Sequence, residues 1–135
     1  MELKNLFSGA SLTLPDDLLW SDEHSWSPVA SSVSYLITGA LLVQSALRQA
    51  GRAITLVGAA DMAWVQRGSV NVLREWATAP LGDNSGRFEL TLHDTRVFTV
   101  AFRHAETPIE AEPVTGFTAR SEFDFYRITL KLMQI

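Results

Sequence analysis

The chain lacks cysteine altogether and is poor in charged residues. Without cysteine it has no disulfide framework, no thiolate metal site and no cysteine nucleophile. Charged side chains make up 19% of its 135 residues, below the roughly 25% of an ordinary soluble domain. This deficit favours a protein that buries surface against partners. The net charge is −4 and no basic cluster exceeds two residues, which argues against sequence recognition of nucleic acid through phosphate contacts.

Long apolar runs are missing as well. The N-terminal residues lack the apolar core of a secretory leader. The longest apolar runs fall far short of the roughly 20 residues that a membrane-spanning helix needs. We therefore expect neither a leader nor a membrane span.

Catalytic motifs are not recognisable in this sequence. It has no G-x-S-x-G elbow, and its glycines match no phosphate-binding pattern. Glu110 and Glu112 share a face of a short strand, but paired carboxylates act on a substrate only when a cleft holds them apart. A solvated acidic loop or a polar interface explains them better, so we expect no enzyme.

Two clusters contain side chains that can bind a metal ion. Residues 22–24 are Asp-Glu-His, and His93, Asp94 and His104 lie in or near one hairpin. A stable site needs three or four ligands with supporting groups around them, and the hairpin separates His104 from the other two. We expect no metal and no cofactor.

The length predicts a single domain, residues 1–135. Prolines and serines interrupt residues 1–32, which we interpret as an irregular N-terminal arm. Residues 33–135 are predicted to form a β-barrel with one helix near 69–79, which Ser69 would cap. Alternating or β-branched apolar patterns predict strands at 33–47, 52–60, 109–112 and 122–135, and a hairpin at 87–104. A helix over 40–50 remains an alternative within the first of these.

The hairpin at 87–104 also constrains its own turn. Residues directly opposite each other in an antiparallel pair share a face. A three-residue loop at 93–95 places Leu90 opposite Phe98 and Phe88 opposite Val100, whereas a two-residue loop mixes the two faces. The sequence therefore predicts the three-residue loop, with one residue in the left-handed region although no glycine is present.

The segment 14-LPDDLLWSDEHSWSPVA-30 combines two tryptophans with four acids. Trp20 and Trp26 have three interpretations. They can form a lid over the domain's own core, anchor a subunit interface, where tryptophan is enriched, or provide a sugar-stacking platform. The acids would then meet basic groups of a neighbour, such as Arg48, Arg52 or Arg67.

Several stretches together resemble small structural proteins from the tails of long-tailed bacteriophages. They are the loop 18-LLWSDEHSWSPV-29, the strand 51-GRAITLVG-58, the phrases FTVAFRH (98–104) and IEAEPV (109–114), and the ending 124-DFYRITLKLMQI-135. The chain is most similar to the distal tail protein family. The resemblance covers most of the chain, and its motifs are structural ones.

The resemblance implies a mainly β fold with one helix, a split β-barrel or β-sandwich of mostly antiparallel strands. It implies a homo-oligomeric, hexameric ring that joins the tail tube to the distal tip or baseplate of a virion tail and is made in the host cytoplasm. The partners would be further copies of the chain, the tail-tube protein, and baseplate hub or tail-tip proteins. The expected interface residues are Leu19, Trp20, Asp22, Glu23, Trp26, Glu110, Glu112 and Phe117.

Three alternatives remain at this point. The chain can belong to the tail tube or another tail layer, whose small proteins share a related barrel. It can be a carbohydrate-binding module that uses Trp20 and Trp26. It can also be a flavin-binding split barrel, although no basic cluster for a phosphate supports that.

Overall fold

The computed structural model describes residues 1–82, 85–116 and 121–135 of the chain. The protein is mainly β, with 43% of the described residues in strands, and the strands pair antiparallel. The described residues include one helix, α1 (Arg67–Trp76). The predicted mainly β fold with a single helix is therefore confirmed. The strands are β1 (Glu2–Asn5), β2 (Ser11–Thr13), β3 (Leu19–Trp20), β4 (Val29–Tyr35), β5 (Leu41–Leu47), β6 (Ala53–Val57), β7 (Val65–Gln66), β8 (Phe88–Thr91), β9 (Val97–Phe102), β10 (Ile109–Pro113) and β11 (Phe125–Gln134).

The main sheet has the order β2-β1-β8-β9-β11-β6-β3, and β10 and β7 also pair with β11. Strand β11 is the central strand of the sheet because other strands pair with both of its edges. On one side it meets β10 and then β9, and on the other it meets β7 and then β6. Leu130, for example, lies between Ile109 of β10 and Leu56 of β6.

The core lies on the inner face of this sheet. Every second residue of the main strands points inward, as the period-2 pattern predicts. Ile128, Leu130 and Leu132 of β11 are buried, and the alternate residues of that strand face outward. The helix covers part of this face through buried Val70 and Leu73. The two predicted faces of the last strand are therefore confirmed.

The N-terminal segment is not the irregular arm that the sequence suggested. β1 pairs with β8, so that Leu3 lies opposite Leu90, and β3 pairs with β6, so that Trp20 lies opposite Leu56. Leu3 and Trp20, together with Leu14 and Leu18, belong to the buried core. The prediction failed because these strands have two to four residues, too few for a periodic signal to exceed that of the intervening prolines and serines.

The single strand predicted over 33–47 is also wrong. The chain turns back at 36–40, and β4 and β5 form an antiparallel hairpin that is a separate two-stranded sheet. Gly39 adopts φ +84°, a conformation that glycine reaches without the clash of a Cβ atom. The apolar alternation continues through Leu36 and Ile37, which explains why the turn resembles a continuing strand.

The hairpin of β8 and β9 matches its prediction in register and turn. Phe88 lies opposite Val100 and Leu90 opposite Phe98. The amide of Leu92 donates to the carbonyl of Arg96 at 2.9 Å, which closes the three-residue loop 93–95. Thr95 occupies the left-handed region with φ +71°.

The helix begins and ends earlier than predicted, and Ser69 lies inside it. Its N-cap residue is Gln66, which makes no side-chain capping bond. The amides of Arg67 and Gly68 instead donate to the main-chain carbonyls of Asp124 and Glu122, at 2.9 and 3.1 Å. The segment that leads into β11 thus satisfies donors that a helix terminus leaves unpaired.

Candidate interaction surface

The hairpin of β4 and β5 projects as an arm, which we define as residues 29–47. Every residue of the arm is exposed, and its two strands pair with each other over seven residues. The side chain of Ile37 at the turn is fully exposed, at 108% of its reference area. The arm is attached at a narrow base, where the amide of Arg48 donates to the carbonyl of Pro28 at 2.8 Å.

The two faces of the arm differ in chemistry. Directly opposite residues share a face, so the register assigns each side chain. The apolar face carries Val29, Val33, Tyr35, Leu41, Val43 and Leu47, with the opposite pair Ser31 and Ser45 among them. The other face carries small or polar side chains, such as the opposite pair Ser32 and Gln44, and one large apolar side chain, Leu42. The arm is therefore amphipathic although both faces contact solvent.

The arm also carries no charge. No lysine, arginine, aspartate or glutamate occurs between Glu23 and Arg48. Proteins usually protect exposed strand edges with charged side chains, proline or bulges. An isolated two-stranded hairpin is only marginally stable in water. This uncharged, apolar hairpin is therefore a candidate interaction surface.

The tryptophan segment, in contrast, packs on its own chain. Trp20 is only 7% exposed and belongs to the core. Its ring lies edge-on to Phe98 with 5.6 Å between the centroids. The guanidinium of Arg52 lies 4.6 Å from the Trp20 centroid and 5.7 Å from that of Trp26. A sugar would have to displace this arginine before it could stack on Trp20, so the structure agrees with a lid over the core.

The acids of the same segment find partners within their own chain. Asp22 accepts hydrogen bonds from the amide and the hydroxyl of Thr55, at 3.0 and 2.8 Å, and Arg103 donates to that hydroxyl. Arg52 donates to the main-chain carbonyl of Glu23 at 2.9 Å. Within one chain, Asp22 therefore bonds to Thr55 and the carbonyl of Glu23 bonds to Arg52, and the expected contact of these acids with basic groups of a neighbour stays a prediction.

Glu23 and Asp94 both form ion pairs with Arg96. The carboxylate of Glu23 lies 2.7 Å from the guanidinium of Arg96, and the carboxylate of Asp94 lies at the same distance. The hydrogen bond from Arg96 lowers the pKa of Glu23, and the same bond raises the pKa of Arg96. Burial alone would raise the pKa of Asp94, but the hydrogen bonds from Arg96 lower it.

The remaining predicted acids lie on the opposite edge of the sheet, on β10. Glu112 pairs with Arg127 at 3.1 Å and Glu110 with Lys131 at 3.6 Å. A cavity of about 640 Å³ lies beside these pairs, lined by Gly58, Ala60, 110–112 and 127–129. The charges that line it are already paired across β10 and β11, so we assign no ligand to it.

The structure thus divides the predicted interface residues into two groups. Trp20, Glu23 and Trp26 lie around Arg52, Asp22 lies beside Thr55, and Leu19, the neighbour of Trp20 on β3, is the exposed apolar side chain of this group. Glu110 and Glu112 lie three strands away, roughly 14 Å across the sheet. Phe117 lies outside the described residues.

Sequence reasoning missed the arm and a second apolar surface. Met62, Trp64, Phe123 and Phe125 are exposed large apolar side chains, which we call the Trp64 patch. The ring of Trp64 lies 5.9 Å from that of Phe125. The uncharged stretch between Glu23 and Arg48 is the signal that could have revealed the arm, whereas the patch assembles from distant segments and leaves no local signal.

Metal and membrane sites were also sought in the described part of the chain. No group of three or more histidine, aspartate or glutamate side chains there could hold a metal ion. None of the described helical residues form a helix that is long and apolar enough to cross a membrane.

Comparison with known proteins identifies no relative. No protein-family model matches the chain, and no curated protein or solved structure gives a significant match.

Proposed function

We propose that this protein is a structural subunit that self-assembles through its arm into a homo-oligomeric ring of a bacteriophage tail. The observation that carries the proposal is the exposed, uncharged, apolar arm of residues 29–47. Burial of apolar surface contributes about 25 cal/mol per Å², so association that covers this face lowers the free energy substantially. The proposal assigns the chain no catalytic role and no cofactor.

The placement in a tail comes from the sequence resemblance. The distal tail protein family implies a hexameric ring that joins the tail tube to the distal tip or baseplate. The partners are then the tail-tube protein and the baseplate hub or tail-tip proteins, in a virion tail assembled in the bacterial cytoplasm. In such a ring, exposed Leu19 and the β10 edge with Glu110 and Glu112 are available for contacts between layers.

The apolar face of the arm can be tested separately from the rest of the molecule. Val33 and Val43 lie opposite each other on the apolar face, and Ser32 and Gln44 lie opposite each other on the polar face. We expect Val33→Lys to abolish assembly, because a charge cannot be buried there without a partner. We expect Ser32→Lys, which introduces the same charge one residue away, to assemble.

The measurement is light scattering of the purified protein, with electron microscopy of the same sample. Closed six-fold rings support the distal-ring function, and stacked open tubes would support the tail-tube alternative instead. A contact worth more than about 4 kcal/mol is half populated at millimolar concentration. A wild-type protein that stays monomeric at that concentration contradicts self-assembly.

A further inference from the structure

The Trp64 patch is the second large apolar surface that the fold leaves uncovered. Phe123 is 75% exposed and Trp64 40% exposed. Tryptophan and other aromatic side chains are the residues that contribute most to protein interfaces. Scattered exposed apolar residues are ordinary, but the exposed rings of Trp64 and Phe125 lie against each other, and contiguous exposed apolar surface is typical of contact sites.

The patch and the base of the arm lie at opposite ends of β11. Phe125 begins that strand and pairs with Gln66. Gln134 ends it and accepts a hydrogen bond from the amide of Gly51 at 2.8 Å, just beyond the arm. At about 3.3 Å per residue, the two ends are roughly 30 Å apart.

Two kinds of self-contact differ in the surfaces that they cover. A two-fold contact of arm against arm would leave the patch of each copy in water. A contact of the arm with the patch of the next copy covers both surfaces in every copy, and such heterologous contacts generate closed rings when the rotation closes.

The docking face of the arm approaches the area of a typical contact surface. Its six large apolar side chains, Val29, Val33, Tyr35, Leu41, Val43 and Leu47, are exposed by 41% to 77%. Together they present on the order of 600 Å², compared with about 800 Å² per partner in a typical specific interface. With seven-residue strands, the arm extends roughly 25 Å from its base, which is long enough to lie across a neighbour.

We infer that the apolar face of the arm docks on the Trp64 patch of a second copy of this chain. The inference rests on the proposed self-assembly and names the surface that receives the arm. Recognition is between aliphatic side chains and aromatic rings: Val33, Val43 and Tyr35 contact Trp64 and Phe125. Each copy offers one arm and one patch.

A mixing experiment tests this arrangement directly. Val33→Lys removes the arm's docking face and keeps the patch, whereas Trp64→Glu removes the patch and keeps the arm. Each variant alone should be monomeric. An equimolar mixture should form dimers of twice the 14.9 kDa chain mass and nothing larger, because one arm and one patch remain.

Cysteine cross-linking locates the contact independently. The wild-type chain has no cysteine, so every disulfide reports an introduced pair. Val43→Cys mixed with Phe125→Cys should give at least tenfold more covalent dimer under oxidation than either variant alone. Gln44→Cys, on the other face of the arm, is the matched control and should give little dimer with Phe125→Cys.

The outcomes separate the two proposals. If Val33→Lys abolishes assembly but Trp64→Glu assembles like the wild type, the arm docks elsewhere and this inference is overturned while self-assembly stands. If Val43→Cys cross-links equally well to itself, the contact is two-fold and the inference is overturned. A wild-type protein that remains monomeric overturns both. Circular dichroism and the thermal midpoint of each variant establish that it is folded.

Discussion

Gly39 and Thr95 occupy the same position in two hairpin turns that share one hydrogen-bond pattern. In the arm, the amide of Leu36 donates to the carbonyl of Ala40 at 2.8 Å, and the amide of Gly39 donates back to Leu36 at 2.9 Å. In the β8–β9 turn, Leu92 and Arg96 form the corresponding bond at 2.9 Å, and Thr95 donates to Leu92 at 3.1 Å. Both residues have positive φ, +84° and +71°. The turn of the arm therefore has glycine at the position with positive φ, where glycine is favoured, whereas the β8–β9 turn has threonine there.

Thr95→Gly should stabilise the protein. The left-handed conformation costs a residue with a Cβ atom about 1–2 kcal/mol. Glycine avoids this cost, but it loses about 0.5–1 kcal/mol more backbone entropy on folding. We expect a net gain of about 0.5–1 kcal/mol in the free energy of unfolding, measured by urea denaturation. The dependence of this free energy on urea concentration should not change. Thr91→Gly, in extended strand β8, is the control and should destabilise. A lower unfolding midpoint for Thr95→Gly would show that the left-handed conformation of Thr95 does not destabilise the protein.

Gly86→Ala should destabilise the protein strongly. Gly86 has φ +71°, and a Cβ atom there would lie 2.7 Å from the carbonyl oxygen of Pro80, closer than real contacts allow. We expect a loss of about 1–3 kcal/mol, read from the urea midpoint. Gly116→Ala is the matched control because a Cβ atom at Gly116 meets nothing within 4 Å. Equal stability of the two variants would contradict this account.

Thr55→Val should cost about 1–2 kcal/mol, since it removes a hydroxyl from between Asp22 and Arg103. The isosteric valine keeps the packing volume, so the loss reports the hydrogen bonds. Thr55→Ser keeps the hydroxyl and should lose less. Thermal unfolding at neutral pH measures both variants, and a larger loss for serine than for valine would rule out the bridging role.

Glu23→Gln should make the stability of the protein less sensitive to acid. The pKa of Glu23 is lower in the folded protein, because Arg96 binds its charged form. The stabilisation is therefore present above its ordinary pKa, about 4.3, and is lost as the pH falls through the lower, folded pKa. The thermal midpoint between neutral pH and about pH 3 should fall less steeply in the variant.

The control for Glu23→Gln is Glu75→Gln, on the exposed face of the helix. It removes the same charge from a carboxyl for which no contact with Arg96 is seen. If both variants change the fall of the thermal midpoint at acidic pH equally, the change comes from the net charge of the protein and not from the ion pair between Glu23 and Arg96.

Assembly should survive high salt. The arm has no charged side chain and its proposed contact is apolar, so screening, which shortens the Debye length to about 3 Å at 1 M salt, removes nothing from it. Sedimentation velocity at low and high sodium chloride checks this. Dissociation of the oligomer by salt alone would show that ion pairs, and not the arm's apolar face, hold it together.

The elements that sequence reasoning predicted well are those with long alternation. In the β8–β9 hairpin, two three-residue sets of alternating apolar side chains leave one register in which the faces agree, and the structure has that register. In β11, the buried residues Ile128, Leu130 and Leu132 alternate with residues that are only partly buried. Where the periodic signal is long, local pattern and tertiary pairing agree.

The misplaced elements depend on contacts that are distant in sequence. β1 is a strand because Leu3 pairs with Leu90 of β8. Its four residues are too few to show this pairing in the sequence pattern. Of the neighbours Leu19 and Trp20, the tryptophan faces inward and the leucine outward, which only the pairing of β3 with β6 decides. The arm was missed because Gly39 alone marks its turn, and the Trp64 patch because its two halves lie far apart in the chain.

The position of β11 as the central strand, with which four other strands pair, has a consequence for synthesis on the ribosome. All of its partners, β6, β7, β9 and β10, precede it in the chain, so their edges stay open until translation reaches residues 125–134. The arm needs only a local turn and can form early, since local contacts close quickly. If the chain self-assembles as proposed, the apolar face of the arm is exposed to neighbouring nascent chains before the main sheet is complete.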